Sequence, residues 1–238
     1  MESFTLTRIE MSKFLLSLTG TLDTKPLQIL QEAWTKTTPN ELPTILLKVM
    51  KGRSTKGFSL GDIAALGNLI EYSTLSVTAM QNWVKRDFKE YLGSPRQGKK
   101  YSVNQAALLF MIDDLKSALD FESIRQLFHR LFLKPERDDD DLIEPAQLYN
   151  AYAGLFEKIK NNPSLQNHGM DDRNELGEKS WKVSVIEDST EGMMKRLAHL
   201  TRTQSEAVWN TIFIAAISVQ TCYFQSLVRQ SLNATLFS

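Results

Sequence analysis

The stretch LSVTAMQNWVKRDFKEYLGSPRQGKKY, from Leu75 to Tyr101, joins an amphipathic helical pattern directly to a basic, turn-rich loop. At about 100° per residue, Val77, Met80, Trp83, Val84 and Phe88 share one side, while Thr78, Gln81, Asn82, Lys85 and Lys89 form a narrow stripe opposite. The polar stripe carries no carboxylate. Amides and hydroxyls hydrogen-bond base edges and lysines meet phosphates, whereas Asp or Glu would be repelled by a nucleic-acid backbone. The pattern points to a nucleic-acid surface; a solvated surface helix is the plainer alternative. Met80, Trp83 and Phe88 lie on the apolar side and read as core, not as base-stacking groups.

Working outward, Ser76 is the expected N-cap of this helix, and Gly93, Pro95 and Gly98 forbid a continuous helix through the loop. Upstream, Ser59 stands before Leu60, Ile63, Ala64, Leu66, Leu69 and Ile70, which give one helix face, and Asp62 lies at capping-box spacing from it. Downstream, Ser102 opens VNQAALLFMIDDLKSAL and Asp120 caps FESIRQLFHRLF. Further helices are expected over residues 4–19 with Gly20 as stop, Pro26 to Lys36, Pro43 to Met50 and Pro145 to about Lys160. Another runs from about Thr190 to Leu232, with a break near Thr201 to Thr203. Residues 161–180 read as a mobile polar loop and Trp181 to Ile186 as a short strand. An all-α fold follows.

Lys and Arg number thirteen against nine Asp and Glu in residues 53–137, and nine against fourteen in 138–238. The net charge of zero thus hides a middle of +4 and an end of −5, a local cationic surface rather than a general polyanion binder. Residues 53–137 form the expected DNA-binding unit and 138–238 a helical dimerisation or effector region, with 1–52 as an N-terminal segment packing on the core. Cys222 is the only cysteine, so no intramolecular disulfide forms. Glu2, Arg8, Glu10 and Lys13 do not match a secretory signal, and a cytoplasmic location is the expectation. Ala207 to Val228 lacks charge, but Asn210, Thr211, Ser218, Gln220, Thr221, Gln225 and Ser226 interrupt it. It reads as a buried or subunit-pairing helix rather than a membrane span.

LSVTAMQNWVKRDF, GSPRQGKKY and SVNQAALLFMIDDLKSALDFESIRQLF resemble the helix-turn-helix of MerR-type transcription regulators. That pattern is a helix, a turn, a recognition helix with an aromatic near its end, a wing closing on Tyr-Ser, and a helix pair. TAMQNWVKRD, GKKYSVNQAALL, DLKSALDFESIR and DDLIEPAQLYNAY are similar, more narrowly, to an uncharacterised family of Gram-positive bacterial proteins. It is known as a domain of unknown function and regarded as MerR-like. The resemblance spans Ser59 to Tyr152. It implies Leu60 to Leu69 as first helix, Ser76 to Phe88 as recognition helix and Arg96 to Tyr101 as a small wing. Thr78, Gln81, Asn82 and Lys85 would then face bases, Gln and Asn suiting adenine. Arg86, Arg96, Lys99 and Lys100 would hold phosphates, with Lys89 and Tyr101 completing the set. The chain departs from the regulators in its longer linker NLIEYSTL (68–75), which lacks the customary Gly, in Gln81 where Arg is common, and in showing no dimerising heptad.

Other chemistry lacks a pattern. His129, His168 and His199 have no ligand at metal spacing, and no phosphate-cradling glycine motif exists. Asp138 to Asp141 lacks the alternating spacing of a calcium loop and reads as a solvated charge run, and Cys222 reads as packing. Asp113 and Asp114, adjacent on a helix, point about 100° apart and do not form a shared acid site. The expectation is a sequence-specific, homodimeric transcription regulator bound to double-stranded DNA, without enzymatic activity, metal or cofactor, and with no residue that identifies an effector. A protein-interaction adaptor on the same scaffold is the alternative.

Overall fold

Side-chain caps set where the helices begin. In a computed structural model, which describes residues 4–36, 43–49, 57–96, 98–132, 141–161 and 197–237, the backbone forms an all-α fold. Its helices are α1 (Arg8–Thr19), α2 (Pro26–Lys36), α3 (Thr44–Lys48), α4 (Leu60–Gly67) and α5 (Val77–Asn82). The last of these runs into a π-helical turn (Trp83–Asp87). After it come α6 (Lys89–Leu92), α7 (Val103–Leu115), α8 (Phe121–Leu131), α9 (Pro145–Asn161) and α10 (Arg202–Phe237). The Ser59 hydroxyl accepts from the Asp62 amide at 3.1 Å while the Asp62 carboxylate accepts from the Ser59 amide at 3.0 Å. Ser102 and Gln105 make the same reciprocal pair, and Ser76 and Asp120 each accept one amide three residues on. The expected loop beyond Asn161, the strand at Trp181 to Ile186, His168 and Asp138 to Asp140 lie outside the described residues.

Several boundaries differ from the sequence expectation, each for a tertiary reason. Helix α1 starts at Arg8 rather than residue 4, because Leu6 is extended and pairs in parallel with Ile70. The Leu6 amide donates to the Leu69 carbonyl at 2.7 Å and the Glu71 amide to the Leu6 carbonyl at 2.9 Å. That pairing also stops α4 at Gly67, two residues short of Leu69. Helix α10 begins at Arg202, at the expected break, and continues to Phe237. The segment expected as a recognition helix is not one α-helix: the Phe88 amide bonds to the Trp83 carbonyl at 2.9 Å, an i→i+5 closure, and Phe88 then leaves helical geometry at φ −133°.

Helix α7 is buried on every side from Gln105 to Leu115, as an apolar helix must be when other helices surround it. Helix α9 packs on α7 and is flanked by α1 and α10. One continuous apolar cluster takes residues from all three sequence segments, including Phe14 of α1, Phe110 of α7, Tyr152 of α9 and Ile212 of α10. The buried face of α10 is Val208, Ile212, Ala215, Ala216 and Val219, at helical spacing. By length and composition α10 is apolar enough to cross a membrane, and 44% of its most apolar window is buried in the fold. Gly67 lets the end of α4 approach the start of α5: a Cβ there would lie 2.8 and 3.1 Å from Leu75 side-chain atoms and 3.3 Å from the Phe110 ring.

A buried polar knot crosses this core. The Arg8 guanidinium, fully enclosed, donates from Nε to both Asp114 carboxylate oxygens at 3.1 Å and from Nη2 to Oδ1 at 2.8 Å. Its Nη1 donates to the Glu71 carbonyl at 2.6 Å, and the Tyr152 hydroxyl donates to Asp114 Oδ2 at 2.8 Å. Burial pushes the Asp114 carboxyl up while Arg8 and the Tyr152 hydroxyl oppose that rise. Burial also works against the Arg8 charge, but Asp114 more than restores it and the guanidinium titrates above its ordinary value. Asp113 turns away, accepting from the Ser73 hydroxyl at 2.8 Å and pairing with Lys116 at 2.6 Å. Arg8→Leu is expected to destabilise the fold by about 3–5 kcal/mol in urea unfolding, because it strands a buried carboxylate. Adding Asp114→Leu should recover much of that loss, and equal cost for the single and double variants would refute the pairing.

Candidate nucleic-acid interface

The polar face expected on this helix is present along α5 and into the π turn, where Lys85 stands. Thr78, Gln81, Asn82 and Lys85 are exposed, and none makes a side-chain hydrogen bond or ion pair among the described residues. Beneath them Met80, Trp83 and Phe88 are buried, with Trp83 and Phe88 meeting the Phe121 ring of α8 edge-on at 6.5 and 5.1 Å. Aromatic packing therefore holds this helix from behind and leaves its polar side outward. Val77, placed on the apolar side by spacing, is instead 37% exposed.

The π turn changes where the remaining candidates stand. A straight stripe through Lys89 requires unbroken α-helix, and the break at Phe88 removes it. Lys89 opens α6 and, with Arg86, lines a cleft of about 910 Å³ between the π turn, the turn at residues 93–96 and α8. Arg96 lines the same cleft, together with Arg125 of α8, Asp87 and Glu90. Arg86 is exposed and pairs with Asp87 at 2.7 Å; that hydrogen bond raises its pKa. The ten candidates thus divide into a helix face, a cleft group and a loop group. In the loop Lys99 is exposed and Lys100 half-buried.

Tyr101 departs from the cationic surface. It is 9% exposed, its backbone pairs with Phe58 through two 2.8 Å hydrogen bonds, and burial raises its hydroxyl pKa. It is a strut that fixes the loop. The expected wing at Arg96 to Tyr101 is reduced, among the described residues, to this single antiparallel bridge.

Two residues that shape the site were not legible as such. Gln105 is buried, and its amide nitrogen donates to the carbonyls of Leu92 at 2.5 Å and Ser94 at 2.8 Å. Its oxygen accepts from the amides of Ser102 and Arg96 at 2.8 and 3.3 Å, so one side chain clamps the turn onto α7. Capping-box spacing after Ser102 was the only signal for it. Arg125 donates from Nη1 to the Asp87 carbonyl at 3.1 Å, and the Tyr91 hydroxyl donates to the Arg125 carbonyl at 3.0 Å. Nothing local in FESIRQLF signals that reach.

Elsewhere the described residues offer little chemistry. His129 and His199 are exposed, and no three His, Cys, Asp or Glu side chains gather as a metal-binding group among the described residues. Burial pushes the Cys222 thiol up, away from the thiolate that nucleophilic chemistry needs.

Comparison with known proteins places this arrangement within a class defined by sequence alone. Residues 60–152 match the domain of unknown function DUF1836, a segment that contains α4 through α8 and the first half of α9. The chain is 32% identical over 235 residues to the uncharacterised protein YkrK of Bacillus subtilis, covering 95% of this chain and 96% of that protein. It belongs to this family of unknown function. No solved structure matches the chain.

Burial, with Glu90 nearby, pushes the Tyr91 hydroxyl up to about 12. A folded-state value above the unfolded one means that this group's stabilisation is complete below about pH 10 and is lost as pH rises through about 12. Tyr91→Phe should cost about 1 kcal/mol at neutral pH. The gap between wild type and variant should close between about pH 10 and 12. A gap that stays constant in alkaline urea titrations would contradict the assignment.

Proposed function

We propose that this protein is a sequence-specific DNA-binding transcription regulator that works as a homodimer in the cytoplasm, without enzymatic activity of its own. The observation that carries the reading is the carboxylate-free face of Thr78, Gln81, Asn82 and Lys85, exposed on a capped helix beside a cationic loop. Gln and Asn suit bidentate pairing with adenine in the major groove, and Lys99 and Lys100 suit phosphates. The resemblance of residues 75–128 to the helix-turn-helix of MerR-type regulators adds to this reading. The homodimer would use the outer part of α10, where Phe224, Val228, Leu232 and Leu236 are 52, 67, 53 and 63% exposed. Those same side chains favour the second reading, an adaptor that binds protein and no DNA.

The test is a genomic-fragment pulldown with the purified full chain, sequenced at several salt concentrations. A common motif whose enrichment falls as salt rises is expected; no enrichment at low salt would shift the reading to the adaptor. Lys99→Ala with Lys100→Ala should weaken binding to every duplex and lower the salt slope by about 1.8, from about 0.9 per phosphate. Gln81→Ala should mainly alter sequence preference. Equal affinity and preference in all variants would remove the surface. Val228→Glu should leave monomers in analytical ultracentrifugation; a dimer unaffected by it would place the interface elsewhere.

A further inference from the structure

We infer that the cleft between the π turn, the 93–96 turn and α8 is a phosphate-binding site positioned by Arg125, and that a DNA backbone phosphate is its occupant. This rests on the DNA-binding reading above. Four cations from four elements line the cleft: Arg86 of the π turn, Lys89 of α6, Arg96 of the turn and Arg125 of α8. Two carboxylates oppose them, Asp87 and Glu90. Asp87 is already engaged by Arg86, and its side chain is only 14% exposed. With Glu122 paired to Arg125 beside the cleft, four cations stand against three carboxylates, a net charge of +1.

Arg125 is what makes this more than a cluster of surface charges. A guanidinium has five N–H donors. Arg125 commits Nε and one Nη2 hydrogen to Glu122, at 3.2 and 2.7 Å, and one Nη1 hydrogen to the Asp87 carbonyl. Two donors remain, one on each terminal nitrogen, which suits a forked contact to a tetrahedral oxyanion. The Asp87 carbonyl and the Tyr91 hydroxyl fix the residue at its tip and its backbone, so little side-chain freedom is left to lose on binding. The side chain of its carboxylate partner Glu122 is 64% exposed, so that pairing is solvent-screened, and the two remaining donors are available without displacing it. Gln105 clamps the opposite wall by holding the Leu92 and Ser94 carbonyls and the Arg96 amide.

Position selects the occupant. The cleft begins at Val84 and Arg86, directly beside Lys85, the last residue of the helix face proposed to meet bases. At about 910 Å³ it has room for a phosphodiester with its flanking sugars, beyond what a lone anion fills.

The experiment uses the full ¹⁵N-labelled chain with two probes, sodium tripolyphosphate and a duplex carrying the motif recovered from the pulldown, or a random duplex if none is recovered. Tripolyphosphate should shift the amides of Arg86, Lys89, Ser94, Arg96 and Arg125. Arg125→Gln should abolish those shifts, and Lys89→Gln, an exposed change without a packing role, should weaken them several-fold. No shift, or shifts confined to other residues, overturns the site. With duplex, each variant should lower the salt slope by about 0.9. Wild-type binding with an unchanged slope in both variants overturns the cleft while leaving the DNA reading intact. Tripolyphosphate shifts in a protein that binds no duplex at low salt overturn the DNA occupant and assign the site to a free phosphate anion.

Discussion

The Arg8–Asp114 pair is the constraint on which the remaining architecture rests. It places a positive charge and a negative charge in the middle of an apolar core, a location tolerated only when each charge is matched and hydrogen-bonded. Nearly every element of consequence has a hand in meeting that condition. Helix α1 brings the guanidinium, α7 the carboxylate, α9 the Tyr152 hydroxyl, and the α4–α5 linker the Glu71 carbonyl. The linker is consequently fixed, though it is longer than a short interhelical turn. Lys160 pairs with Glu71 at 3.1 Å, Ser73 bonds Asp113, and the Asn68 side chain donates to the Leu75 carbonyl at 3.1 Å. Tyr72 is held at φ 61°, a left-handed conformation costly for a bulky side chain, with its ring against Tyr223 at 5.2 Å.

From that fixed linker the exposed surface follows in sequence. Ser76 caps α5, the aromatic rings of α8 press on Trp83 and Phe88, and the π turn then spends one extra residue before the chain turns at Gly93. The π turn takes Lys89 out of the stripe that an uninterrupted helix would have continued. Amides and a hydroxyl stay on the first turns, and arginines gather around the cleft beyond. A helix widened at one turn can aim successive side chains at different targets, which is why such turns recur at working surfaces.

Local signals were readable in the sequence where the physics is local. Helix starts at Ser59, Ser76, Ser102 and Asp120 depend on a hydroxyl or carboxylate and an amide three residues away, and all four stand where the sequence puts them. The inward position of Met80, Trp83 and Phe88 needed only periodicity. What spacing missed depends on partners distant in sequence. Leu6 meets Ile70 across 64 positions, Arg8 meets Asp114 across 106, and Arg125 reaches the Asp87 carbonyl across 38. The π turn was missed for another reason: the pattern of WVKRDF is compatible with an α-helix, and only packing against α8 shows the wider turn. Tyr101 is a similar case, since its burial and its bridge to Phe58 depend on a partner 43 positions earlier.

The family match runs from residue 60 to residue 152, and those limits cut through the polar knot. Asp114 and Tyr152 lie inside, whereas Arg8, Lys160 and Tyr223 lie outside. A segment excised at those limits would carry an aspartate built for enclosure with its countercharge removed, and a left-handed Tyr72 with no ring to lean on. The unit that the family model delimits is thus smaller than the unit that folds, whereas similarity to the Bacillus subtilis relative spans 95% of this chain. The matched segment holds the exposed helix face and the carboxylate of the knot, while the countercharge comes from the flank.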